Sequence, residues 1–313
     1  MAETLRDYVL DPSRANQNVI QSKYAVRGLL YHAAQARIKS GKNAILTNVG
    51  NPQALGQKPL TFPRQVMALI TWPSMLDHPE CCKIFPPDAI LRAREYLKNM
   101  PGGTGAYQDS RGLLYVREEV AQFIAARDGV PAHADCIYLT DGASQGIHLA
   151  LQVLIRDRND AILVPIPQYP LYSATIELLN GTLVGYPLNE DTDWSLDISQ
   201  LRKVTMEARK RGLTIRGLVV INPGNPTGQQ LKSENMKELI RFCLEERVVM
   251  FADEVYQSNV YSKEPFVSFK KLGYEMMQVK EKSKPHLELF SFHSASKGAW
   301  GITPFFIYAI TFI

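Results

Sequence analysis

From residue 112 onward the chain alternates helical segments with short apolar runs, and that rhythm restricts it to one broad architecture. Leu114 to Arg127 has helical spacing and is followed by an apolar stretch, Cys136 to Thr140. Ser144 stands where a cap belongs, ahead of a helix whose apolar face is Ile147, Leu151 and Leu154. Ala161 to Val164 is continuously apolar, the mark of a strand covered on both faces. Helix 197–211, strand Leu218 to Ile221, helix 232–246 and strand Val248 to Ala252 repeat the unit, and a last apolar run covers Leu287 to Phe292. The pattern predicts an α/β fold, a mostly parallel sheet wrapped by helices, with ligands held at the carboxyl ends of the strands.

Ahead of this region, residues 1 to about 60 read as an arm plus a helix, Tyr31 to Lys39, stopped by Gly41. Short helical pieces and prolines alternate between Pro59 and Pro87, Asp88 to Lys98 is a further helix, and a glycine-rich loop from Pro101 leads to Tyr107. A chain of 313 residues, 45% hydrophobic, accommodates one large domain and part of a second. Its 35 basic and 31 acidic residues are interspersed, which argues against a nucleic-acid partner. Cys81, Cys82, Cys136 and Cys243 form no CxxC pair and the histidines lack ligand spacing, so no metal site is expected and the thiols read as reduced. Glu3, Asp7 and Asp11, with no apolar core near them, argue against a secretory or transit leader and for a cytoplasmic protein. No membrane partner is expected: the one membrane-like stretch, Ile302 to Ile313, contains Pro304 and falls short of the roughly 20 residues a span needs.

The strand ends carry the chemistry. Asp141-Gly142-Ala143-Ser144 sits between a strand and a helix, where backbone N–H groups can receive a phosphate, or where an ordinary helix is capped. Pro165 to Tyr172 is a rigid loop whose Tyr169 can stack on a flat ring, or simply a turn with half-buried tyrosines. Asn222-Pro223-Gly224-Asn225-Pro226-Thr227-Gly228 is denser than connectivity alone requires, and Asn225 can direct an amide N–H at a ring hydroxyl. Asp253 begins where an apolar strand stops. There it can pair with a protonated pyridine nitrogen or cap a following helix, while Tyr256 can bond a ring oxygen. Lys297, on the small hydroxyl-bearing turn Ser294-Ala295-Ser296-Lys297-Gly298, is suited to a Schiff base with an aldehyde, or is a solvated lysine on a turn.

Taken in this order, these motifs resemble the fold-type I pyridoxal phosphate aminotransferases of the aspartate aminotransferase superfamily. Within them the chain is most similar to the alanine aminotransferases, on the stretches Gly50 to Val66, Gly105-Ala106-Tyr107, Asn222 to Gly228 and Ser291-Phe292-His293-Ser294. The resemblance covers about residues 1 to 301. It implies an N-terminal arm with part of the small domain over 1–111 and a cofactor-binding large domain, incomplete, over 112–301. It implies that Lys297 forms the Schiff base and then serves as proton carrier, and that Asp253 keeps the ring nitrogen protonated. Tyr256 and Asn225 would bind the ring oxygen, Tyr169 would stack, and Gly142, Ala143, Ser144, Ser294 and Ser296 would complete the cofactor site. Gly50 would line the substrate carboxylate site, and Tyr107 would reach the phosphate of a neighbouring subunit, making a homodimer. The implied reaction is L-alanine plus 2-oxoglutarate giving pyruvate plus L-glutamate. A glutamate–glyoxylate aminotransferase, an aminocyclopropane-carboxylate synthase-like lyase and a catalytically silent truncated product are the alternatives.

After Gly301 the resemblance breaks. A glycine-rich run with a phosphate-gripping arginine is expected there, followed by the rest of the small domain and an arginine for the substrate carboxylate. The chain instead reads Ile302 to Ile313 with no charged residue. These residues, 302–313, read as an apolar tail foreign to the family, with the small domain largely missing. The expected cost is an open sheet edge, weak cofactor binding and association through the tail.

Overall fold

The computed structural model describes residues 13–24, 28–46, 50, 52–278 and 286–297 (backbone only at Ala54), together with the backbone of 308–312. Eight strands form one sheet: β1 (Ile137–Tyr138), β2 (Asp160–Ile166), β3 (Thr182–Asn189), β4 (Ser195–Leu196), β5 (Thr214–Ile221), β6 (Val249–Asp253), β7 (Leu289–Ser294) and β8 (Tyr308–Phe312). Their order is β1-β8-β7-β6-β5-β2-β3-β4. β3, β2, β5, β6 and β7 are mutually parallel; β8 runs antiparallel to both β1 and β7, so β1 shares the common direction, and β4 turns back on β3. This is the mostly parallel, helix-wrapped sheet expected. The connection from β3 jumps back over β2 to β5, so the chain switches direction between β2 and β5. In such sheets that point opens a crevice at the carboxyl edge.

Both faces of the sheet are covered, which is why its strands are apolar throughout. Leu218 and Val220 pack towards helices Ile198–Lys210 and Ser233–Glu246, while Val219 and Ile221 pack towards helices Ala143–Leu154 and Leu171–Leu178. Each such fully buried side chain contributes about 1.5–3 kcal/mol. A separate helical core, Val66, Leu69, Ile70, Leu76, Cys81, Ala89 and Ala93, gathers helices Thr61–Thr71 and Pro87–Lys98.

Several expectations are corrected. The strand expected over Cys136 to Thr140 is only Ile137–Tyr138, because Ala134–Cys136 closes into a 3-10 turn. Ser144 does not cap its helix: Gly142 holds that position at φ 100°, with no side-chain cap bond, and Ser144 lies one residue inside. Part of the apolar stretch 302–313, for which no element was expected, pairs with the sheet. The backbone of Tyr308–Phe312 fills the gap between β1 and β7, where its N–H and C=O groups meet partners on both sides. The point where the resemblance breaks, Gly301, and the residues 298–307 around it lie outside the described residues. No helix among the described residues is long and apolar enough to cross a membrane. No group of three or more potential metal ligands occurs among them.

Candidate active site

β6 ends on Asp253, a carboxylate 5% exposed at the centre of the sheet. Backbone pairing holds it between Ile221 of β5 and Phe292 of β7. The Tyr172 hydroxyl, itself fully buried, donates to Asp253 Oδ2 at 2.8 Å, and the Val255 N–H donates more weakly to Oδ1 at 3.3 Å. No ion pair closes on this carboxylate among the described residues. Burial drives the carboxyl up to about 6, while the Tyr172 hydroxyl, the Val255 N–H and the charge of Lys297 pull the other way. A buried anion with one strong donor is an electrostatic vacancy for a cation or an N–H.

Around it stand the residues read from the sequence. Lys297 closes the 3-10 turn after β7, and its Nζ lies 5.8 Å from the centre of the Tyr256 ring. Beneath it the turn is tied by Ser294, whose Oγ bonds the Ser296 hydroxyl at 2.6 Å and accepts the Ser296 N–H. Tyr256 is half-buried, and burial followed by the nearby Asp253 charge raises its hydroxyl pKa. Asn225, Gly228 and Tyr256 line a cleft of about 280 Å³ with Asn259 and Tyr261. Asn225 is held there by its loop: buried Asn222 accepts the Leu231 N–H at 2.8 Å, and the Gly224 N–H bonds the Gln229 carbonyl at 2.9 Å.

Tyr169 lies just before helix Leu171–Leu178. Burial, Tyr24, Tyr256 and Asp253 all raise its hydroxyl pKa, which sets it among the same groups. Its hydroxyl shares a short hydrogen bond with Tyr24, the two rings meeting edge to face at 6.1 Å. Ser22 ties the same segment down by donating to the Ala174 carbonyl at 3.0 Å. Gly142 begins helix Ala143–Leu154 on the same edge, and the first-turn amides of Ala143 and Ser144 have no side-chain acceptor among the described residues. Such an amide cluster at a helix N-terminus receives anions.

Two expected residues stand apart. Tyr107 is fully exposed on its loop, and Gly50 is exposed with open space around it. Tyr172 and Tyr24 were not singled out from sequence. A signal existed for Tyr172, which follows Tyr169 by three residues at the end of the same aromatic segment, Pro165 to Tyr172. For Tyr24 none existed, because its contact spans 145 residues of chain.

Comparison with known proteins shows the family. The family model described as aminotransferase class I and II matches residues 80–303. Glutamate–glyoxylate aminotransferase 2 of Arabidopsis thaliana is 54% identical over 293 residues, covering 93% of this chain and 60% of that protein. Alanine aminotransferase 2 of Panicum miliaceum is 48% identical over 297 residues, covering 91% of this chain and 61% of that one. Among solved structures, the alanine aminotransferase from Pyrococcus furiosus shares the fold, with a TM-score of 0.72 over 96% of this chain and 63% of its own, at 22% identity. The chain spans about three-fifths of the length of the curated relatives it matches.

Proposed function

We propose that this chain, which belongs to the class I and II aminotransferases, carries the cofactor half of a transaminase that uses pyridoxal phosphate, the cofactor of that family. The observation that carries the reading is buried Asp253, without an ion-pair partner among the described residues, beside the turn of Lys297. The residues present fit the group. A protonated pyridine nitrogen supplies the N–H that Asp253 lacks, and the Ala143 and Ser144 amides, with Gly142, Ser294 and Ser296, suit a phosphate. When bound, pyridoxal phosphate supplies an electron sink that stabilises negative charge at the amino acid Cα.

The chain's own residues would do the rest. Asp253 holds the ring nitrogen proton, and Tyr172 keeps that carboxylate oriented. Tyr256 and Asn225 bind the ring oxygen, and Tyr169, held by Tyr24, covers the ring. Lys297 Nζ anchors the cofactor and then, as catalytic base and acid, moves a proton to and from the substrate Cα. Gly50 would face the substrate carboxylate, and exposed Tyr107 would serve the phosphate of a second copy, in a homodimer.

For substrates we propose L-alanine and 2-oxoglutarate, giving pyruvate and L-glutamate. Glutamate and glyoxylate, giving 2-oxoglutarate and glycine, are a second reading, favoured by the 54% identity to a glutamate–glyoxylate aminotransferase. Titrating the full chain with pyridoxal phosphate tests the proposal. A near-visible absorbance band should form, change on adding alanine or glutamate, and vanish in Lys297→Ala. A chain that takes up no cofactor, or an unchanged band in Lys297→Ala, defeats the reading. Glycine formed from glyoxylate faster than pyruvate formed from alanine would select the second substrate pair.

A further inference from the structure

Strand alternation sends Phe292 into the core beneath helix Ala143–Leu154, and sends Ser291 and His293 to the opposite face of the sheet. On that face lies a polar cluster that the proposed chemistry does not use. Arg127, in the last turn of helix Leu114–Asp128, donates to both oxygens of buried Asp128, at 2.8 and 2.6 Å. It also makes a short hydrogen bond to Gln257 Oε1. Gln257 Nε2 in turn lies 2.7 Å from His293 Nε2. Next to them Glu254, 1% exposed, accepts the Ser291 hydroxyl at 2.8 Å and the Phe269 N–H at 2.7 Å.

These contacts settle the proton positions by elimination. A guanidinium only donates, so Gln257 must present its oxygen to Arg127 and its NH₂ to His293. The NH₂ group only donates, so His293 Nε2 accepts and the imidazole proton resides on Nδ1. Nδ1 is buried without a well-formed partner, and the Glu254 backbone carbonyl is the acceptor beside the ring. Burial and the Arg127 charge hold this imidazole neutral over the physiological range. Gln257 directly follows Tyr256, and His293 lies four residues before Lys297. One side-chain bond thus ties together the two segments that bear those groups.

We propose that Arg127, Gln257 and His293 are positioning residues, a buried brace that holds His293 as the neutral Nδ1–H tautomer and sets the spacing between Tyr256 and Lys297. The positional claim rests on the proposed function; the tautomer does not. In the full chain labelled with ¹⁵N-histidine, the His293 signals, assigned by their loss in His293→Phe, should show a protonated Nδ1 and a bare Nε2. Gln257→Leu removes both links at similar volume. It should weaken pyridoxal phosphate binding roughly tenfold and move the pH midpoint of the bound cofactor's absorbance by about half a unit. Gln257→Glu can accept from Arg127 and from an Nε2–H imidazole alike. It should recover binding to within about twofold while the His293 proton moves onto Nε2.

A wild-type His293 protonated on Nε2 overturns the brace. So does a Gln257→Leu chain with wild-type cofactor affinity and absorbance midpoint, or a Gln257→Glu chain with no recovery. If the wild-type chain takes up no cofactor, the proposed function falls, while the tautomer measurement still decides whether the brace exists.

Discussion

Tyr172 and Asp253 show what one buried hydroxyl does for a carboxylate. With its phenol fully buried and its oxygen 2.8 Å from Oδ2, Tyr172 is the strongest donor that Asp253 has. Hydrogen bonds to charged groups contribute about 1.5–3 kcal/mol, so this bond offsets much of the cost of burying the anion. Tyr172→Phe keeps the ring and deletes the donor. Asp253 should then hold its proton to higher pH, and pyridoxal phosphate affinity should fall by roughly 10- to 100-fold. An equal loss for the ring-carbon analogue lacking the pyridine nitrogen would show that Tyr172 does not act through Asp253. At this scale the sequence was most legible where a residue type is rare in its setting. A lysine on a serine turn and an acid at the end of an apolar strand each point to a chemistry. Tyr172 was less visible because a tyrosine in a helical turn looks the same whether it fills space or orients a carboxylate.

Among the elements, the loop Asn222 to Gly228 is the most constrained. A Cβ on Gly224 would lie 2.2 Å from Thr227 Oγ1 and 2.8 Å from Gln229 Oε1, so any side chain there forces Thr227 or Gln229 to move. Gly224→Ala should displace Asn225 and weaken cofactor binding roughly tenfold, a cost of about 1.4 kcal/mol. Adding Thr227→Ala, which removes the closer contact, should recover part of the loss in the same binding titration. The helix start at Gly142 depends on a different property. Its φ of 100° and ψ of 145° suit glycine alone, and Gly142→Ala should cost about 1–3 kcal/mol in a urea melt. Element types were read well wherever periodicity was strong, as in helix Ser233–Glu246 and strand Thr214–Ile221. β3 escaped notice because Gly185 and Pro187 interrupt its apolar pattern, yet it pairs with β2 over six residues of each strand. That pairing compensates for what local propensity lacks.

For the molecule as a whole, the buried acids couple stability to pH. Asp253 is raised from 3.8 to about 6, and Glu254 from 4.5 to about 7, both chiefly by burial. Below about pH 3 both are protonated whether the chain is folded or not, and neither costs anything. As pH rises, the unfolded chain loses these protons first, so stability falls between about pH 3 and 7 and then levels off. His293, lowered from 6.5 to about 4, works in the other direction over part of that window, because the unfolded chain binds its proton first. Asp253→Asn removes one acid and keeps an acceptor for Tyr172. In urea melts without cofactor it should leave stability unchanged near pH 3 and raise it by up to about 3 kcal/mol near pH 8. The same variant should bind pyridoxal phosphate more weakly. A variant less stable than wild type at pH 8 would contradict the burial account.

The sequence by itself determined the class of sheet, the edge on which the candidate site lies, and the residue types that meet there. Those properties follow from periodicity and from chemistry placed directly after strands, both local in the chain. Only the tertiary structure decided that Tyr172 serves Asp253, that Tyr24 reaches Tyr169, and that Gln257 joins Arg127 to His293. It also turned the apolar stretch 308–312 into the strand between β1 and β7. Each of these joins residues far apart in sequence. A hydrogen bond or a strand slot depends on distance and burial, and neither is written in the spacing of letters along a chain.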